Sequence, residues 1–353
     1  MSITIASFDT PTPDDFQALE AWINTHINTF TQARLKKLAI FVKVAGDYDD
    51  GSRERSRLTL SALIERHGLT DRSQLFAAVG CEGVATPFGY VLAQFDRSDA
   101  DANAGPPRLA MGFARSAPPP PALLERAALA PLVSATVRAA MADGGLTAAE
   151  VVMIFVKVPQ APGGGSAGQV IRGRRTRGIA ALGAGIALGE VEPARVNDDT
   201  VGVDTTLYAR RVQNFSGPEV RSIEVIAIGN LPGAGGDLVA YSTQMSDLID
   251  TRALRSLLID AGMTVDSFGD FSTPERLAGL FIKAGVRSDG TIRGAKTTVF
   301  ESSSTPEKQM RAALSGVLAG LLGTTRFFST GDPIHAARDG GATVCAIVRA
   351  VHA

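Results

Sequence analysis

The chain has 353 residues, with 35 Lys plus Arg against 36 Asp plus Glu, a net charge of −1 and 45% hydrophobic residues. This suits a folded globular protein of two or three domains at ~150 residues each and excludes a disordered one. With no basic surplus and only 6% aromatics, nucleic acid is not expected as a partner. Two cysteines, Cys81 and Cys345, are too few for a disulfide framework and fit a reducing compartment. No apolar run reaches the ~18 residues of a membrane span, and Met1–Ile5 has no basic leader region. A cytoplasmic protein with no membrane partner is expected.

In chain order, three thirds resemble one another. A helix-like stretch over 16–37 leads into the apolar run 38–43, which ends in Lys43. The stretch 130–143 leads into 152–157, ending in Lys157, and 252–262 leads into 277–283, ending in Lys283. After each lysine comes a polar loop with Gly and Arg, and then a second helical pattern at 57–67, 177–188 and 306–322. A second apolar strand follows at 75–80, 223–229 and 325–331. Short buried runs between helices fit a sheet covered by helices. The polar stretch 96–107 and the region near 247–251 read as boundaries.

One lysine closing an apolar strand ordinarily snorkels to solvent. Three at the same place in three repeats can instead converge on one pocket, provided the repeats pack about a pseudo-threefold axis. Burial and like charge would lower their pKa values there. A shift from ~10.4 to about 7 requires roughly 4–5 kcal/mol. A neutral lysine can act as general base toward a serine hydroxyl. Aligning Gly80, Gly217 and Gly331 sets Ser329 opposite Phe215 and Ala78. Ser329 with Lys283 is then the pair in register, and Ser216 with Lys157 is the fallback.

Arginines also follow each lysine: Arg53, Arg55 and Arg57; Arg172, Arg174, Arg175 and Arg177; Arg287 and Arg293. One from each third at the mouth of a shared pocket would grip a small planar, oxygen-rich heterocycle through forked hydrogen bonds. His26, His67, His335 and His352 lack metal-ligand spacing and read as surface or capping residues. Cys81 reads as a small buried thiol, with a nucleophile as the alternative. Gly163–Gly165 lacks the context of a phosphate loop and reads as a mobile loop beside the pocket.

Several motifs are similar to those of the cyanuric acid hydrolase and barbiturase family of ring-opening amidohydrolases. They are Gly80-x-Glu82-Gly83-Val84 with Pro87, Val156-Lys157-x-Pro159 and Arg177-Gly178-x-Ala180-Ala181-Leu182-Gly183. Further matches are Met245-Ser246-Asp247-x-Ile249-Asp250, Ile282-Lys283-Ala284, Arg293-Gly294, Ser329 and Gly340-Gly341. The resemblance implies an α/β (α+β) fold of three homologous units, 1–104, 105–249 and 250–353. Their sheets would form a central barrel-like core with helices outside. It implies hydrolysis of one C–N bond in a cyclic imide or ureide, with each unit giving a lysine, an arginine and a serine. Carried over, these are Lys43, Lys157 and Lys283, then Arg55, Arg177 and Arg293, with backbone at Gly80, Gly217 and Gly331.

The departures lie at the serines. The first unit has Ala78, and the second has Phe215-Ser216 where the family has adjacent serines. The family's metal-supporting glutamate is Gly285 here, and its His-Gln-Gly-Pro loop is replaced by Ile334-His335-Ala336-Ala337-Arg338. No metal or other cofactor is therefore expected. The alternative functions are altered chemistry (ring closure, tautomerisation or proton transfer) and non-catalytic binding of a heterocycle. Apolar helices such as 314–322 lead to the expectation of a homo-oligomer, a dimer or tetramer.

Overall fold

The computed structural model describes residues 1–27, 32, 34–47, 50–96, 105–160, 166–301 and 303–350, without the side chains of 166–172. The boundary segment 97–104, the glycines 163–165, the Arg172 side chain and His352 lie outside the described residues. Each third builds the same order: strand, helix, strand, helix, strand, strand. The first comprises β1 (Ser2–Asp9), α1 (Gln17–His26), β2 (Leu35–Val44), α2 (Ser52–Arg66), β3 (Ser73–Val79) and β4 (Phe88–Phe95). The second comprises β5 (Arg108–Arg115), α3 (Ala130–Asp143), β6 (Val151–Pro159), α4 (Ser166–Ala187), β7 (Val212–Gly217) and β8 (Glu224–Leu231). The third comprises β9 (Leu238–Met245), α5 (Thr251–Asp260), β10 (Leu277–Ala284), the hairpin β11 (Thr291–Ile292) and β12 (Ala295–Lys296), α6 (Pro306–Leu322), β13 (Phe328–Gly331) and β14 (Ala342–Arg349).

The three four-stranded sheets run β1-β4-β2-β3, β5-β8-β6-β7 and β9-β14-β10-β13. In each, the lysine strand lies parallel to the strand after its helix (β2 to β3, β6 to β7, β10 to β13) and antiparallel to the last strand. The three sheets share their inward residues in one core, and among the described residues their strands form separate sheets with no closed barrel. Three details differ from the sequence expectation. β9, assigned by position to residues 105–249, pairs with β14 in the third sheet. The strand at 223–229 is β8, the antiparallel partner of β6, so the counterpart of β3 and β13 is β7. The apolar face of α6 is covered by its own sheet: Leu314, Leu318 and Leu322 are buried in the third unit's core, which removes the reason for expecting another copy there.

Both faces of each lysine strand are buried, which explains their unbroken apolar runs. On β2, Ile40, Val42 and Val44 face the helices, while Ala39, Phe41 and Lys43 face the other two sheets. The inward residues of all three units form one shared core. At its centre Phe41, Phe155 and Phe281 meet with ring centroids 4.9, 4.9 and 5.0 Å apart and interplanar angles of 61°, 66° and 64°. Three equal edge-to-face contacts mark the pseudo-threefold axis, and this is the favoured geometry for the ring quadrupoles. Buried polar groups tie the units together: the Tyr90 hydroxyl accepts from the Leu280 N–H at 3.2 Å, and Gln213 donates to the Phe281 carbonyl at 3.0 Å.

Phe155→Ala opens a cavity on this axis, where no single unit can collapse without moving two others. A loss of about 3–5 kcal/mol is expected in urea unfolding. A loss below ~1 kcal/mol would contradict the axial packing.

Candidate active site

Each axial phenylalanine stands two residues before its lysine, and a strand repeats its facing every two residues. Lys43, Lys157 and Lys283 therefore rise in one layer above the aromatic triad. They are almost fully buried, with exposures of 0%, 1% and 2%. Lys43 Nζ donates to the Val79 carbonyl at 2.7 Å, and Lys283 Nζ donates to the carbonyl of Gly331. Lys157 Nζ crosses to the first unit, donating to the Ala77 carbonyl at 2.8 Å, and forms an ion pair with Glu219. Above them lies a cavity of about 510 Å³ lined by Lys157, Lys283, Phe215, Thr330, Arg177 and Arg311, among others.

A second ring surrounds the lysines. Each unit presents a carboxylate just past its glycine, and each carboxylate takes an arginine from a helix of another unit. Glu82 receives Arg311 of α6 through two contacts, at 2.7 and 2.5 Å. Glu219 receives Arg53 of α2 at 3.0 Å, and Asp332 receives Arg177 of α4, with Arg174 at 3.2 Å. The three pairs close a cycle: first unit to third, third to second, second to first. Glycine makes room for two of the carboxylates. A Cβ on Gly80, whose φ is +95°, would sit 2.7 Å from Arg311 Nε, and one on Gly217 would overlap the Glu219 carboxylate.

The lysines differ in charge state because their neighbours differ. Burial pushes Lys43 down to about 8, with Cys81 and Glu82 opposing and Arg311 assisting. Burial drives Lys283 well below the usual lysine range, and the Arg177 charge adds to it while Asp332 opposes. Burial also lowers Lys157, against the Glu219 carboxylate beside it. Burial would raise Glu82, Glu219 and Asp332, but their basic partners hold all three below the usual carboxylate range. Lys157 thus belongs to a buried Lys–Glu–Arg triad, whereas among the described residues no carboxylate forms an ion pair with Lys43 or Lys283.

The parallel register shows what faces each amine. Lys43 pairs with Ala78, Lys157 with Phe215 and Lys283 with Thr330. Laterally paired residues share a face, so these three side chains point to the axis. Ser329 pairs with Ile282 and Ser216 with Val158, one residue out of phase, so both turn toward the helices. Matching the glycines misread the third unit by one residue: Gly331 stands opposite Ala284, whereas Gly217 stands opposite Pro159. Ser216 reaches the cavity wall, but its hydroxyl accepts from Arg177 at 3.1 Å and donates to the Gly173 carbonyl at 3.2 Å. Thr330 is the residue that the sequence argument missed. It is 6% exposed, and among the described residues its Oγ1 has no hydrogen-bond partner.

A family model described as "Amidohydrolase ring-opening protein" matches residues 4–349. The chain belongs to the ring-opening amidohydrolase family. It is 32% identical over 360 residues to a cyanuric acid amidohydrolase of Methylobacterium sp. (strain 4-46), covering 96% of this chain and 94% of that one. It is 28% identical to a cyclic amide hydrolase of Azorhizobium caulinodans, across 99% of this chain and all of that one. Its fold superposes on a crystal structure of the cyanuric acid hydrolase of A. caulinodans with a TM-score of 0.87 at 27% identity, over 99% of each chain. A second solved cyanuric acid hydrolase, reported as a product of structural concatenation, gives a TM-score of 0.88 at 26% identity over 99% of each chain. The internal repeat agrees with that origin.

Within this ring-opening amidohydrolase, Lys43, Lys157 and Lys283 gather at the axis, and Arg177, Ser216, Gly80 and Gly331 line the cavity above them. Arg55 and Arg293 do not. Arg55 is exposed and donates to the Asp50 carbonyl, while Arg293 sits in the turn between β11 and β12, paired with Asp247 at 2.9 Å. Their places are taken by Arg53 and Arg311. Gly217 lies behind the wall, against Glu219. Burial raises the Cys81 thiol above its ordinary pKa, which keeps it protonated and a poor nucleophile. His335 is buried, not superficial: its Nδ1 contacts the Leu207 carbonyl and its Nε2 accepts from the Gly202 N–H at 2.8 Å. Gly285 offers no carboxylate, and a Cβ there would already meet Pro333 Cδ at 2.8 Å. Among the described residues no group of three or more His, Cys, Asp or Glu is placed to hold a metal ion.

Removing one charge from the buried triad leaves the others uncompensated. Glu219→Gln is expected to destabilise the fold by about 3–5 kcal/mol, read as a lower urea midpoint. An unchanged midpoint would contradict the ion triad.

Proposed function

We propose that this chain hydrolyses one C–N bond of a small cyclic amide in the axial cavity, with Lys283 as general base and the Thr330 hydroxyl as nucleophile. The observation that carries the reading is the parallel pairing of Lys283 with Thr330. Of the three lysine-facing positions it alone holds a hydroxyl, and that hydroxyl is buried and uncommitted. Membership of the ring-opening family supports the reaction class, and the relatives' names give cyanuric acid and cyclic amides as what those proteins act on.

The chemistry follows from the charge states. Lowering a lysine's pKa raises the share of neutral amine at a given pH, and the neutral amine can accept a proton. Thr330 Oγ1 attacks the ring carbonyl carbon as its proton passes to Lys283 Nζ. The carbonyl oxygen becomes an oxyanion in the field of Arg177 and Arg174, on the same wall. When the oxyanion collapses, the ring C–N bond breaks and the nitrogen takes the proton from Lys283. The opened chain is then an ester of Thr330. Water, deprotonated by Lys283, cleaves that ester, releases a carboxylic acid and restores the hydroxyl.

Lys283→Met should lower kcat by about 10²–10⁴-fold. Thr330→Val should abolish turnover, Thr330→Ser should restore it, and Ser329→Ala should leave it unchanged. Turnover is followed as loss of ultraviolet absorbance across cyclic imides, barbiturate and cyanurate. Because Lys283 acts as the neutral amine, kcat/KM should fall as pH drops through its lowered pKa and level off well below 10.5. Full activity in Thr330→Val would remove the covalent mechanism, and no turnover with any ring would remove the hydrolase reading.

A further inference from the structure

The three lysine-facing positions hold three different side chains: Ala78, Phe215 and Thr330. The backbone repeats three times, but the chamber it encloses does not. Phe215 is 7% exposed, and its ring is fixed by edge contacts with Phe76 at 5.7 Å and Phe328 at 6.3 Å. The ring lies on the cavity wall, with Lys283 Nζ 4.8 Å from its centroid. Beside it, Lys157 is engaged by Glu219 and by the Ala77 carbonyl. At the position opposite the lysine, two of the three lobes therefore present carbon, Ala78 beside Lys43 and Phe215 beside the Glu219-bound Lys157, while the third presents the Thr330 hydroxyl beside Lys283.

A ligand with threefold symmetry would turn the same polar carbonyl and N–H edge toward all three lobes. Two of those edges would meet Ala78 or Phe215 where the third meets a hydroxyl, and each buried polar group left without a partner costs about tenfold or more in affinity. A ring with one imide edge and an apolar remainder loses nothing there. It also buries its carbon face against Phe215, where an aromatic substituent can stack. The volume allows this: about 510 Å³ lies inside the roughly 300–1,000 Å³ range of pockets for drug-sized ligands.

We infer that the chamber selects cyclic imides of low symmetry, with a single imide edge toward Thr330 and Lys283 and an apolar, preferably aromatic, substituent toward Phe215 and Ala78. The inference rests on the cyclic-amide reading of this cavity and names its substrate class.

Calorimetric binding of cyanuric acid, glutarimide and β-phenylglutarimide tests it without requiring turnover. The native protein should bind β-phenylglutarimide at least tenfold more tightly than cyanuric acid, with glutarimide between them. Phe215→Ser, which shortens the apolar wall, should narrow that ratio at least tenfold. Ala78→Ser, a one-atom addition facing Lys43, should shift the ratio in the same direction and provides the readout if the first variant does not fold. Equal or tighter binding of cyanuric acid to the native protein, or a ratio unmoved by both substitutions, would overturn the inference. Binding of none of the three rings would overturn it too. Preference for the phenyl imide with no ring opened would support the inference and contradict hydrolysis, so the two readings fail separately.

Discussion

The arrangement depends on the contact of three phenylalanine rings, one from each sheet, at nearly equal separations on the axis. That contact fixes the distance between the sheets and, through the two-residue period of a strand, brings a lysine from each to the same level. Long cationic side chains are almost never fully buried unless something holds them. Here the holders are backbone carbonyls of the strand ends, a carboxylate for Lys157 and, around them, a cycle of arginine–carboxylate pairs. The cost is visible at Lys43, whose pKa stands at about 8. A depression of that size corresponds to roughly 3 kcal/mol against folding below that pH. Burial of apolar side chains on both faces of every sheet offsets it.

Symmetry of the frame and asymmetry of the contents serve different purposes. The frame is repeated closely: the same strand order, the same parallel pairing, the same arginine reaching into the next unit. The contents diverge at the positions where a ligand would meet them. One lysine is neutralised by a carboxylate and paired across the strands with a phenylalanine, one is paired with an alanine, and one with a threonine. Packing constrains the axial rings of all three units together, since a change in one disturbs the other two. A lysine-facing side chain borders the cavity on one side, so it is less constrained than the axial rings.

Much of this was legible in the sequence. Apolar runs closing on Lys43, Lys157 and Lys283 pointed to the repeat and to convergence, and the same runs carried the axial phenylalanines two residues earlier. The reading failed where it counted across loops. Matching Gly331 to Gly80 and Gly217 displaced the third unit by one residue, and a one-residue slip in a strand turns a side chain to the opposite face. Ser329 thereby stood in for Thr330. Counting arginines from the third lysine stopped at Arg293, because the β11–β12 hairpin lengthens that loop before α6 begins and Arg311 appears. The carboxylates at Glu82, Glu219 and Asp332 were in plain sight, but their partners come from other units, and pairing at that separation leaves no local pattern to read.

The most direct test of the convergence is the titration of the lysine side chains themselves, followed by carbon NMR of protein labelled at lysine Cε and assigned by Lys43→Arg and Lys283→Arg substitutions. The account predicts that Lys43 titrates near 8 and that Lys283 is likewise displaced far below the surface lysines. Titration of every lysine near the ordinary value of ~10.4 would mean that the three amines stand apart in water, and the shared chamber would be contradicted.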